Sequence, residues 1–318
     1  MFPKWKSTLE QESMNALKEK RYDDALTKLN QLIAHDVVTH EIVMGKLICL
    51  MEIGNYDEAE DLCHQLISNN DSHLFDYIHI YSTLLFQQSK YEMLIEELEE
   101  VFQRTDIPNS LKPQLNQLYE ISKKLNIDKK EEEATRNIKK LKTAIRKQDY
   151  PQQWRILKDS REVSVDSHIE YLKELLVDFS INPIIKTAVI QWLQEQKIND
   201  PIEVTKFETA ETVIPSQLNT LTSHPITIQI EGYLHEIEQN NPSLFELIKK
   251  LLYRYLYVRF PIMPADEELV HISEALKLLG YQYLQMETNM DIEDEEKLNS
   301  YLIDIITSEK EYFEIVGE

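Results

Sequence analysis

The chain has 318 residues, of which 42% are hydrophobic, together with only 5 Gly, 11 Pro and a formal net charge of −22. Hydrophobic residues spread along the whole length exclude a disordered or collagen-like chain, and the scarcity of Gly argues against compact all-β folds and phosphate-binding loops. The negative charge opposes general binding to nucleic-acid backbones. We therefore expect a mainly helical protein of two or three domains, or one extended solenoid.

The compartment is predicted from the cysteines and from the absence of targeting signals in the sequence. Cys49 and Cys63 are the only cysteines, and two cysteines on apolar helix faces cannot form a disulfide framework. We find no signal-peptide pattern and no apolar run of about 18 residues, so we expect no membrane insertion. These features together predict a cytoplasmic protein.

Three segments in the first third of the chain repeat one another. Tyr22, Tyr56 and Tyr91 stand 34 and then 35 residues apart, and Ala25 and Ala59 follow the first two tyrosines by three residues. Apolar residues after the tyrosines recur at steps of three and four, as a buried helical stripe requires. The members of this stripe are Leu26, Leu29, Ile33, Leu62 and Leu66.

This period, with a Tyr at the turn and a small residue three positions later, resembles the tetratricopeptide repeat (TPR), a helix–turn–helix unit of 34 residues. The resemblance implies that Ala25 and Ala59 let the two helices of a pair approach closely. It also implies a set of core-facing residues: Leu29, Leu32, Cys63 and Leu66. Only the second unit has the turn glycine, Gly54, and the third has Leu94 where Ala is usual, so we expect looser packing in the third pair.

Two further helices are predicted after the repeats. In the segment Leu111–Leu125, residues at helical spacing follow Pro108 and Pro113, and we expect this segment to cap the last repeat. A separate long helix is predicted over Asp128–Lys147, with a narrow apolar stripe among basic side chains. Those side chains are Lys129, Lys130, Arg136, Lys139, Lys140, Lys142, Arg146 and Lys147.

The basic helix is a candidate interaction surface, with Lys139, Lys140, Lys142 and Arg146 as its contact residues. It could meet an acidic protein, RNA or an anionic lipid surface. We favour a solvated face, or a contact within the chain to the acidic C-terminal part, because charge runs are usually solvated.

The remainder of the chain predicts further helices and one possible β-hairpin within residues 202–217, where Ile202–Phe207 alternates with period two. The helices are predicted at 169–179, 183–193, 226–237, 244–258, 269–284 and 298–312. We divide the chain into TPR-like repeats with a cap (1–125), a basic helix with a helical hairpin layer (126–200) and a C-terminal block (201–318). The arrangement as a whole resembles TPR proteins of low-GC Gram-positive bacteria, and that resemblance supplies no specific function.

In proteins that resemble this repeat, ligands lie in a concave groove lined by the first helix of each pair. The corresponding positions here are Glu10, Met14, Lys18, Met44, Ile48, Met51, His79, Thr83 and Phe86. A clamp for a C-terminal carboxylate needs Lys, Arg and Asn donors, and Glu10, Met14 and Ile48 contradict it. The stripe instead suits an amphipathic helix or an extended apolar segment, because Met adapts to irregular surfaces. Packing against a neighbouring helix of the same chain is an equal alternative.

The sequence contains none of the common catalytic or nucleotide-binding motifs, so we predict no enzyme activity and no cofactor. Five histidines fall within 45 residues: His35, His40, His64, His73 and His79. No two of them stand at i, i+4 on one helix face, so we interpret them as loop and surface residues and predict no metal site.

Three functions compete on this basis. The leading hypothesis is a non-enzymatic scaffold or adaptor that binds a protein or peptide partner. The alternative is an RNA- or ribosome-associated factor that uses residues 129–147, although the overall charge makes nucleic acid a poor partner. The third is an enzyme with a pocket near Tyr253, Tyr255 and Tyr257, where Arg254 and Arg259 also lie. A helix with aromatic residues at this spacing is more often part of the core.

Overall fold

The computed structural model describes residues 2–69, 72–287 and 294–317. These residues are mainly helical, with one two-stranded sheet, so the predicted all-α class with a small β-hairpin is confirmed. The chain divides into two compact units, Met1–Lys129 and Lys130–Glu318. Within the described residues, no helix combines the length and the apolar character needed to cross a bilayer.

The first unit consists of three helix pairs and the beginning of a longer helix. The helices are α1 (Phe2–Lys18), α2 (Tyr22–Ala34), α3 (His40–Ile53), α4 (Tyr56–Ser68), α5 (Leu74–Gln87), α6 (Tyr91–Phe102) and α7 (Lys112–Arg146). Each helix packs against the next through α6, and the first helices of the pairs also meet, α1 with α3 and α3 with α5. This is the stacking expected of helical repeats.

The turn inside each pair has the same backbone conformation. Lys20, Gly54 and Ser89 have positive φ values of 59°, 80° and 55°, and each stands two residues before the Tyr that begins the second helix. In the second turn, the Asn55 amide donates to the Leu50 carbonyl at 2.9 Å, which closes the end of α3. The predicted repeat register is therefore confirmed at all three tyrosines.

The core of the first unit follows the predicted pattern. Ala25, Ala59 and Leu94 are fully buried, as are Leu29, Leu32 and Cys63, whereas Leu66 is half-buried. Burial raises the pKa of the Cys63 thiol to about 12, so this cysteine is a packing residue.

Gly45 is a close-packing position that the repeat pattern did not indicate. A Cβ at this position would lie 3.2 Å from Leu17 Cδ1 and 3.3 Å from Leu29 Cδ1. The missing side chain therefore lets α3 approach the first pair closely.

The prediction of two separate helices over 111–125 and 128–147 is wrong, because α7 is continuous from Lys112 to Arg146. Pro113 lies in its first turn, where the missing amide hydrogen has no consequence. The residues at the predicted break, Asn126, Ile127 and the following Asp128, are only moderate helix formers, at about 0.7 kcal/mol or less each relative to Ala. None of the three is a helix breaker, so the helix continues through them.

The second unit surrounds a central buried helix. After the second part of α7, its elements are α8 (Tyr150–Asp159), α9 (Ile169–Val177), α10 (Pro183–Glu195), β1 (Ile202–Lys206), β2 (Thr209–Val213), α11 (Pro225–Tyr233), α12 (His235–Asn240), α13 (Pro242–Arg259), α14 (Leu269–Tyr283) and α15 (Glu295–Val316). The side chain of Asn182 accepts a hydrogen bond from the Ile184 amide at 2.8 Å and so caps α10. Helix α10 packs against α8, α9 and α13.

The hairpin pairs β1 with β2 in antiparallel register, from Ile202 opposite Val213 to Lys206 opposite Thr209. Phe207 and Glu208 form a two-residue loop with φ values of 49° and 62°, as a type I′ turn requires. The second strand therefore begins at Thr209, directly after this loop and inside the predicted hairpin region 202–217.

Lys206, at the end of β1, is buried in the second unit. Its Nζ donates to Thr187 Oγ1 at 2.6 Å and to the carbonyl oxygens of Val258 and Phe260 at 2.9 and 2.6 Å. Burial, together with the neighbouring Lys186, lowers the pKa of this amine well below its ordinary value. The side chain thus joins the hairpin to α10 and to the end of α13.

Candidate functional site

A cavity lies between α3 and α5, the first helices of the second and third pairs. Its volume is about 260 Å³. It is lined by Met44, Ile48, Met51, Glu52, His79, Ile80 and Thr83. Five residues that the sequence predicted for the groove therefore come together at one place.

The lining residues differ in how far they reach the surface. The Ile48 side chain is 41% exposed, whereas Met51 is only 8% exposed and belongs mainly to the core. Thr83 Oγ1 donates to the His79 carbonyl at 2.9 Å, so this hydroxyl is satisfied within its own helix. The result is an apolar floor with a polar edge, which suits an apolar side chain better than a charged one.

The other predicted groove residues are not in the cavity wall. Glu10, Met14 and Lys18 lie on α1, and Met14 is 43% exposed. Phe86 is half-buried, and its ring packs edge-on against Tyr91 with 5.7 Å between ring centroids. Phe86 therefore contributes to the packing between α5 and α6, the two helices of the third pair.

Two lining residues were not predicted from the sequence. Glu52 stands one helical turn after Ile48, so the i, i+4 spacing could have indicated it. Ile80 is 8% exposed and contributes to the floor. Burial and the neighbouring Glu52 carboxylate together raise the pKa of Tyr22.

The basic side chains of α7 do not all face one site. Lys139 and Lys140 line a cavity of about 400 Å³ in the second unit together with Arg136 and Lys147. Lys142 Nζ instead lies 4.3 Å from the centroid of the Tyr171 ring. Arg146 is exposed and is not part of the wall of that cavity.

The aromatic helix α13 contributes mainly to the core. Tyr255 and Tyr257 are buried, and the Tyr257 hydroxyl accepts from Trp154 Nε1 at 2.9 Å and donates to Gln191 Oε1 at 3.2 Å. Arg254 pairs with Glu309 at 2.9 Å. Tyr257 and Arg254 therefore have structural partners, whereas the buried Tyr255 hydroxyl has no hydrogen-bond partner among the described residues.

A larger cavity, of about 480 Å³, lies beside α13 and is lined by residues of α11, α13 and α15. The described residues of its wall include Thr, Lys, Glu and Tyr side chains but no Ser, Cys or His. Its Thr227 hydroxyl donates to the Leu221 carbonyl at 2.6 Å.

Among the described residues, one group of histidine and acidic side chains comes close enough together to hold a metal ion. Its members are His40, His73 and Asp76, at the beginnings of α3 and α5.

The stacked helix pairs, each with a tyrosine at the start of its second helix, form a TPR-like helical repeat fold. In agreement with this class, the chain is similar to the TPR repeat-containing protein YsoA of Bacillus subtilis (strain 168). The two are 29% identical over 303 residues, which cover 93% of this chain and 88% of that protein. No family model matches the chain.

Proposed function

We propose that this protein is a non-enzymatic interaction scaffold that binds a segment of a partner protein in the groove formed by α1, α3 and α5. The observation that carries the proposal is the apolar cavity between α3 and α5. Its volume of about 260 Å³ is smaller than the roughly 300–1,000 Å³ of typical small-molecule sites, so it is better matched to one side chain of a peptide. Cytoplasmic localisation remains a prediction.

The chemistry of the groove indicates the kind of segment. Ile48 and Met44 provide an apolar and adaptable surface, as helix-binding grooves do. Glu52 at the cavity is acidic, and it would favour a basic residue beside the apolar anchor. We therefore expect a partner segment with a large apolar side chain flanked by Lys or Arg.

The alternative of an RNA- or ribosome-associated factor gains no support from the relative. Of its four contact residues, only Lys139 and Lys140 line one cavity, and Lys142 packs over Tyr171. We therefore do not propose it.

The test is affinity capture from the native cell lysate with the tagged full-length chain and two matched variants, analysed by mass spectrometry. Ile48→Lys introduces a charge into the groove, and Met93→Lys makes the same change on α6 at an almost equal exposure, 41% against 43%. We consider only partner proteins that stay bound to the unmodified chain through moderate salt and nuclease treatment. We expect the Met93→Lys variant to capture these proteins and the Ile48→Lys variant to lose them. Equal retention by both variants would contradict binding in the groove.

A further inference from the structure

Three side chains at the N-terminal ends of two separate helices converge at one end of the groove. His40 is the first residue of α3, His73 immediately precedes α5, and Asp76 lies in the first turn of α5. Asp76 Oδ2 lies 3.5 Å from His40 Nε2 and 3.4 Å from His73 Nδ1. One ligand atom from each side chain can be chosen so that all three lie within 4.8 Å of one another.

The two distances to Asp76 match the spacing of ligand atoms around a bound metal ion. Zinc ligands at about 2.0–2.2 Å in tetrahedral coordination stand roughly 3.3–3.6 Å apart. Both measured distances to Asp76 fall in this range. Two imidazole nitrogens and one carboxylate oxygen also suit zinc and similar transition metals better than Mg²⁺ or Ca²⁺, which prefer oxygen ligands alone.

The orientation of His40 is fixed by a second partner. Its Nδ1 forms a hydrogen bond with the Tyr77 hydroxyl at 3.2 Å, and its Nε2 faces Asp76. Metal-bound histidines usually have such a partner on the nitrogen that does not bind the ion. The His40 and His73 rings are stacked, with 3.8 Å between centroids and 13° between their planes. Because the lone pair of an imidazole nitrogen lies in the plane of its ring, one of the two rings must turn for both nitrogens to bind the same ion.

The cluster lies on the same helix faces as the groove. His40, Met44 and Ile48 follow one another at steps of four along α3, while Asp76, His79 and Thr83 follow at steps of three and four along α5. The N-termini of α3 and α5 each carry a partial positive charge of roughly half a unit, which by itself would repel a cation. The negative charge of the Asp76 carboxylate offsets this repulsion.

We propose that His40, His73 and Asp76 bind one zinc ion, which joins the second and third helix pairs at the N-terminal end of the groove. Three protein ligands leave a fourth coordination position open for water or another donor. The i, i+4 rule applied to the sequence could not find this site, because its histidines come from two helices. The site stands independently of the proposed partner binding.

The first test is zinc titration of the metal-free full chain against a chromophoric chelator, with cobalt as a spectroscopic substitute. His40→Gln, His73→Gln and Asp76→Asn should each weaken the tight site at least about tenfold, since even second-layer changes at metal sites cost about 10–100-fold. The controls are His79→Gln, one turn further along α5, and His235→Gln in the second unit. Both should bind zinc as the unmodified chain does. A tight site that survives in all three ligand variants, or no saturable site at all, would overturn the proposal.

A second measurement needs no substitution. Histidine modification by diethyl pyrocarbonate, mapped by mass spectrometry, should be suppressed by zinc at His40 and His73 but not at His79. Equal suppression at every histidine, or none at His40 and His73, would contradict the site. Ile48→Lys should leave zinc affinity unchanged, so a failure of the groove hypothesis would not be mistaken for a failure of the metal site.

Discussion

The replacement of Leu94 by Ala tests whether the third helix pair follows the repeat register. Leu94 is fully buried at the position where the first two pairs have Ala25 and Ala59, and it belongs to the core shared by α3–α6. Removing a buried leucine side chain to the β-carbon costs about 2–5 kcal/mol, depending on how far the neighbours close the cavity. Met93, the preceding residue, is 43% exposed, and Met93→Ala should change stability by no more than about 0.5 kcal/mol.

The assay is hydrogen exchange of the full chain, followed by mass spectrometry of peptides from α5 and α6. A loss of about 2 kcal/mol should speed exchange through local or global opening by roughly 30-fold in Leu94→Ala. Met93→Ala should exchange within about threefold of the unmodified chain by the same relation. Similar exchange in the two variants would refute both the burial of Leu94 and the repeat register.

The other predictions concern each unit in turn. Ala59→Arg should destabilise the first unit by about 1–3 kcal/mol or more, because a large charged side chain enters a fully buried position; a normal unfolding midpoint would contradict this. Burial, and to a smaller extent Lys186, lowers the pKa of Lys206 in the folded state well below its ordinary value of 10.5, which the unfolded chain keeps. Between the folded-state and the unfolded-state pKa the unfolded chain binds more protons, so the free energy of unfolding should rise with pH in that range. Lys206→Met should remove that rise in urea midpoints measured at increasing pH, and an unchanged slope would count against the buried amine. The pair Lys139→Glu and Lys140→Glu should leave stability within about 0.5 kcal/mol and protein capture intact, whereas loss of capture would favour the basic helix as the binding surface.

The repeats could be predicted from the sequence because their spacing is regular. Tyr22, Tyr56 and Tyr91 all begin second helices, as their period indicated. A fourth turn of the same kind precedes Tyr150, where Gln148 has a φ of 54° and the Asp149 amide donates to the Ala144 carbonyl at 2.9 Å. Its distance from Tyr91 breaks the period, because α7 is much longer than the other first helices.

Helix boundaries and buried polar contacts were less predictable. Helix α7 passes through Asn126 and Asp128, because packing can override weak local preferences. Lys206 ends a strand whose alternation is visible in the sequence, but its partners come from α10 and the end of α13. Only the tertiary structure brings those acceptors to it.

The groove residues could be predicted from the sequence, but the cavity that they form could not. Met44, Ile48 and Thr83 could be assigned from helical register, since each lies on a predictable face of its own helix. The cavity depends on the distance between α3 and α5, which no single-helix pattern contains. The proximity of His40 to His73 likewise arises between two helices.

The most direct test of the central claim is photo-crosslinking from single positions of the full chain in its native cells. A photoreactive phenylalanine analogue would replace Ile48 or Thr83 in the groove, or Met93 on α6 as the control. The account predicts that positions 48 and 83 crosslink to the same protein and that position 93 does not. Adducts to that protein from position 93 but not from positions 48 and 83 would contradict binding in the groove.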